Sequence, residues 1–131
     1  MQPRSFSKQL HHENIAAAIR EAESKTSGKI HVLISPKHVD DAVASAQKEF
    51  IRHGLDKSTD RNGVLIFVAP RARKFAVIGD EAVHARCGDE FWRKLAEAMA
   101  GYFRSGDFST GIAHGVQKAG ELLAEHFPGK S

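Results

Sequence analysis

A chain of 131 residues with 41% hydrophobic content is long enough to bury a core without disulfide or metal staples. Its 19 Lys and Arg stand against 16 Asp and Glu, so the formal charge of +3 is a near balance that argues against nucleic acid as a partner. A single cysteine, Cys87, excludes an internal disulfide and a zinc knuckle and suits a reducing compartment such as the cytoplasm.

The first ten residues lack the apolar core of a signal peptide, and the longest apolar run, Val64 to Ala69, falls far short of the ~20 residues that span a bilayer. No transmembrane segment is expected in this chain.

Ser7 is placed to cap a first helix over Lys8 to Lys25, in which Leu10, Ile15, Ala18, Ile19 and Ala22 recur at helical spacing before Thr26-Ser27-Gly28 ends it. Lys29 to Ser35 is rich in branched residues and stops at Pro36, so it reads as a buried strand with His31 on one face. Asp40 is expected to cap a helix bearing Ala42, Val43, Ala46 and Phe50 on one side, closed by His53-Gly54. A strand, a crossover helix and a further strand form a parallel pair with a right-handed connection.

Gly63 to Ala69 and Lys74 to Gly79 then read as strands joined by the short basic turn Pro70 to Arg73. Both are apolar on both faces, which requires helices on both sides of the sheet. A short helical turn around Glu81 to Ala85 precedes two further helices. Phe91, Trp92, Leu95, Met99, Tyr102 and Phe103 form the stripe of one, and Ile112, Val116, Ala119, Leu123 and Phe127 that of the other. The expected architecture is α/β, a small mixed sheet of three or four strands with helices packed on it. It is read as one domain over residues 1–131 with a core of about 6–127, ending in a loose tail from Pro128 to Ser131.

Hairpin pairing of the second and third strands brings Asp60 and Asn62 to Asp80 and Glu81, and the parallel pair adds Thr26 to Lys29 to the same end. A polar, acidic edge on an apolar hairpin can hold a hard cation. Each residue also has a plainer use. Asp-Arg-Asn-Gly is turn chemistry, and Asp80 can simply cap the helix that Glu81 begins. Arg61 either grips a phosphate or pairs with Glu23 or Asp80.

Three stretches carry a resemblance: Ala22-Glu23-x-x-Thr26-Ser27-Gly28-Lys29-Ile30, Asp60-Arg61-Asn62-Gly63-Val64-Leu65-Ile66, and Arg73-Lys74-Phe75-Ala76-Val77-Ile78-Gly79-Asp80-Glu81-x-x-His84. With Phe91-Trp92, Phe103, Gly106-x-Phe108 and Gly111-Ile112, they resemble the TPM domain family over about Phe6 to Phe127. That resemblance implies a Rossmann-like αβα sandwich and a divalent-cation site, with calcium the ion most often linked to the family and magnesium the alternative. Some members are described as acid phosphatases, and many bacterial relatives carry a leader before the domain and a membrane helix or Gly-rich tail after it.

On this reading Asp60, Asp80 and Glu81 are metal ligands, with Glu23 a fourth. Asp80 doubles as nucleophile or electrostatic anchor in phosphate chemistry, Arg61 counters developing charge, and His84, one helical turn past Asp80, donates a proton to a leaving group. A structural, hydrogen-bonded role for His84 is the alternative. The eight histidines show no zinc-ligand spacing and the glycines form no phosphate-binding loop. Two functions stay open: a cation-dependent phosphatase, and a non-catalytic module in which a structural or regulatory cation accompanies binding of a protein partner, a membrane-associated one included.

Overall fold

The computed structural model describes residues 12–57 and 60–129, the side chains of residues 12–14, 90 and 91 excepted. In chain order the elements are α1 (His12–Glu23), β1 (Lys29–Ile34), α2 (Ala42–Arg52), a 3-10 turn (Leu55–Lys57), β2 (Gly63–Ala69), a second 3-10 turn (Pro70–Ala72), β3 (Lys74–Gly79), α3 (Glu81–Arg104) and α4 (Phe108–His126). The expected cap at Ser7, the helix start at Lys8 and the last two residues lie outside the described residues.

The three strands form one mixed sheet in the order β1-β2-β3. β1 runs parallel to β2 with Lys29 opposite Gly63, and β3 runs antiparallel to β2 with Val64 opposite Gly79. Because side chains alternate along a strand, β2 feeds two cores. Val64, Ile66 and Val68 pack with Ile15, Leu95, Met99, Ile112, Val116 and Leu123 from α1, α3 and α4. Leu65, Phe67 and Ala69 pack with Ala42, Ala46 and Phe50 of α2. Every residue of β2 is buried, and full burial of a Val, Leu, Ile or Phe is worth about 1.5–3 kcal/mol each. Helices thus cover both faces of the sheet.

Several local expectations are corrected by the structure. The cap of α2 is Asp41, whose carboxylate accepts from the Ala44 amide at 3.1 Å, while Asp40 turns to His38. Val43 is 53% exposed because the buried face of α2 runs through Ala42, Ala46 and Phe50. β1 is an edge strand with Lys29 and His31 exposed, since among the described residues β2 alone pairs with it. The short helix that begins at Glu81 is present and reaches slightly past Ala85 before it breaks at Gly88, whose φ of +75° and ψ of 163° are not helical, and the long part of α3 follows. The chain end is anchored as far as Gly129, for Pro128 bridges to Thr26 and the Gly129 amide donates to the Lys25 carbonyl.

α4 lies close against its neighbours because of its small residues. A Cβ at Gly120 would sit 2.5 Å from that of Ala22 on α1, so only hydrogen fits at this crossing. That contact fixes α1, and with it the Glu23 carboxylate, against the sheet.

Candidate functional site

The starts of β1 and β2 and the end of β3 lie together, as hairpin pairing requires, and the Asp80 amide continues the ladder to the Gly63 carbonyl at 2.9 Å. Asp80 is 6% exposed. Its Oδ1 accepts from the Glu81 amide at 2.8 Å, capping α3, and both oxygens are gripped by Arg61: Nε donates to Oδ2 at 2.7 Å and Nη2 to Oδ1 at 2.8 Å. The cap and the ion pair, each a plain alternative to metal binding, coexist on one carboxylate.

Arg61 is held from two sides. Its carbonyl accepts from the Ala82 amide at 3.1 Å, and its backbone adopts φ +51°, a left-handed conformation that L-residues seldom take. Nη1 lies 3.6 Å from Glu81 Oε1. Hydrogen bonding to Asp80 is the main influence raising the guanidinium's basicity, set against partial desolvation and reinforced by the charges of Asp80, Glu81 and Asp56. Burial pushes the Asp80 carboxyl upward, yet the Arg61 and Glu81 hydrogen bonds and the charges of Arg61 and His84 outweigh it and hold the group below its ordinary range.

The other predicted residues divide. Asn62, 2% exposed, donates from Nδ2 to Ser27 Oγ at 3.2 Å and so ties the start of β2 to the loop before β1. Glu81 and Asp60 are exposed, and Asp60 has no side-chain partner among the described residues. Glu23 is engaged elsewhere, with Oε2 accepting from the Ile30 amide at 2.7 Å on the open edge of β1. His84 belongs to the first turns of α3, its amide bonded to the Asp80 carbonyl and its Nδ1 3.9 Å from Asp89 Oδ1. Among the described residues no three Asp, Glu, His or Cys side chains converge on a point where one ion could be held.

One participant, Asp56, escaped the sequence reading, and another, Thr26, was placed at this end without its bonding. Asp56, in the turn before β2, acts on the Arg61 charge, and its Oδ1 is buried without a hydrogen-bond partner. An aspartate four residues ahead of Asp60 was the available signal. Thr26 is buried, its hydroxyl donating to the Phe127 carbonyl and accepting from the Gly28 amide at 3.0 Å, which locks the Thr-Ser-Gly turn to the end of α4. Burial first, then the Glu125 charge, push the Cys87 thiol up against the opposing effect of Arg86, away from the thiolate a nucleophile needs.

A mixed three-stranded sheet between helical layers, with its buried polar residues Thr26, Asn62 and Asp80 gathered at one strand end, defines an α/β sandwich. The TPM domain family model matches residues 6–122, and the chain belongs to that family. It is similar to the BA42 protein of the psychrophilic bacterium Bizionia argentinensis, solved by NMR. Identity is 34% and the TM-score 0.85, over 95% of this chain and 85% of that one. The N-terminal domain of a protein from P. gingivalis, solved by NMR, matches at 18% identity and TM-score 0.68 over 88% and 74%. The N-terminal domain of cg2496 from Corynebacterium glutamicum matches at 18% and 0.63 over 85% and 70%; these two likenesses bear on the fold alone. No curated protein matches the sequence. No helix among the described residues is long and apolar enough to cross a membrane.

Proposed function

We propose that the strand end at Asp80 is a divalent-cation site, calcium before magnesium, served by Asp80 and Glu81 with Asp60 beside them. The observation that supports it is the Arg61–Asp80 fork. A guanidinium already sits on a largely buried carboxylate, and two further carboxylates, Glu81 and Asp56, act on the same charge. Arg61 thus stands where a cation would balance the cluster. The donors are carboxylate oxygens, the type a hard cation prefers, but they are not yet gathered. Binding requires Arg61 to release Asp80 and the exposed Glu81 and Asp60 to turn inward. Glu23, occupied by the Ile30 amide, serves in this reading to position β1 rather than to ligate.

Phosphomonoester hydrolysis is the second reading, and the same fork favours it. Once off Asp80, the planar Arg61 guanidinium presents the paired donors that match two phosphate oxygens, with His84 close enough to act on the Asp80 charge and to give up a proton. A non-catalytic module that binds a protein partner under cation control uses the same residues without turnover. Hydrolysis of p-nitrophenyl phosphate, with and without calcium or magnesium, separates them when wild type, Asp80→Asn and His84→Gln are run together. Cation-dependent turnover lost in Asp80→Asn supports the enzyme. Calorimetric cation binding without turnover above a mock purification supports the module. No cation binding at all removes the site.

A further inference from the structure

The other end of the hairpin holds a second feature that the cation site does not use. Where the turn after β2 meets the corner between α3 and α4, a groove of about 610 Å³ opens to solvent, within the size range of small-molecule sites. Its apolar floor includes Phe75, Phe103 and Phe108. Phe75 meets Phe103 edge to face at 4.9 Å and 75°, and Phe103 is tilted against Phe108 at 5.6 Å. Around these rings stand Arg71, Arg73, Lys74 and Arg104, and among the described residues no carboxylate lines the groove. Lys74 donates to the Asp40 carbonyl, whereas Arg71, Arg73 and Arg104 have no side-chain partner among the described residues. The acids beside it are engaged: Asp107 caps α4 through the Thr110 amide, Asp41 caps α2, and the Asp40 carboxylate pairs with His38.

We infer that this groove binds a small aromatic anion, an aryl body carrying a carboxylate or phosphate. The aromatic floor takes the ring in the offset or edge-to-face contacts that such rings prefer, and the arginines take the anion and stack on its π face. Four cations without a lining carboxylate give the charge complementarity. The concave, single-ligand volume and the absence of a basic stripe disfavour a nucleic-acid strand. Arg73 adds a further sign. It occupies a left-handed backbone conformation, φ +55°, where glycine would be unstrained, so the turn keeps a cation at a conformational cost. The groove lies roughly 20 Å from Asp80, the length of β2 at about 3.3 Å per residue, so the two sites can fail independently.

The test follows backbone amides of ¹⁵N-labelled protein by NMR at low salt while 2-naphthoate is added. The account expects saturable shifts confined to residues 71–75 and 100–108. Binding should weaken at least about ten-fold, since two arginines that meet the anion are lost, in the double variant Arg73→Gly, Arg104→Gln, whose fold is checked by its unchanged distant resonances. The neutral analogue 2-naphthylmethanol and inorganic phosphate alone should each bind more weakly than 2-naphthoate. The inference is overturned by an absence of saturable shifts, by shifts centred elsewhere, by equal affinity for either control probe, or by unchanged affinity in the double variant. A single-stranded oligonucleotide that displaces 2-naphthoate with higher affinity would overturn it in favour of a nucleic-acid surface.

Discussion

Arg61 and Asp80, nineteen residues apart, meet in a two-pronged ion pair of 2.7 and 2.8 Å that joins the turn before β2 to the first turn of α3. The Asp80 side chain is 5% exposed and Arg61's is 38% exposed, so the carboxylate carries most of the desolvation and depends on its partner. Removing that partner should therefore be felt at Asp80.

Asp80→Ala removes both the ion pair and the cap, and should lower stability by about 2–3 kcal/mol. Asp80→Asn keeps a good capping group and should lose less. Urea unfolding of the two variants checks the order, and equal losses would mean that capping contributes nothing here.

The acid limb of stability carries the same signature. Asp80 titrates below its ordinary 3.8, so its contribution is complete above that value and is lost as pH falls through the lower folded value. The stability gap between wild type and Asp80→Asn should be widest near neutrality and close below about pH 4. A gap that stays constant down to about pH 2.5 would contradict the pairing.

Glu23→Ala should cost about 1–2 kcal/mol, because the Ile30 amide on the edge of β1 then loses its acceptor. Glu23→Gln keeps a carbonyl acceptor and should cost less. Neither change should alter the stability increment that calcium gives the wild type. Loss of that increment in Glu23→Gln would return Glu23 to the ligand set.

Gly120→Ala raises helix propensity and should nonetheless destabilise, by about 1–3 kcal/mol, because its methyl would meet the Ala22 Cβ at 2.5 Å. Ala22→Gly in the same chain should recover part of the loss. Additive losses in the double variant would show that the two residues are not coupled.

The hairpin was readable because β2 and β3 are apolar runs of ordinary strand length on either side of a short Pro-containing turn, and antiparallel pairing then brings Asp80 to the Arg61 turn without further information. Three kinds of feature were not readable. A side chain bonded to a distant amide, as Glu23 is to Ile30, leaves no periodic trace in the chain. The choice of Asp41 over Asp40 as a cap turns on local φ and ψ, which two adjacent aspartates do not distinguish. The basic groove depends on Arg104 and Phe108 from the α3–α4 corner closing over a turn some thirty residues earlier, so the turn alone reads as solvated charge.

The most direct test of the central claim is thermal unfolding of wild type, Arg61→Gln and Asp80→Asn, each with and without millimolar calcium. A ligand at about 100 times its dissociation constant adds about 2.7 kcal/mol, and in a chain of this size the midpoint should rise by about 5–15 °C. The account predicts a rise in wild type, a larger one in Arg61→Gln where no guanidinium competes for Asp80, and none in Asp80→Asn. An equal rise in all three proteins, or no rise in any, would contradict a cation site at Asp80.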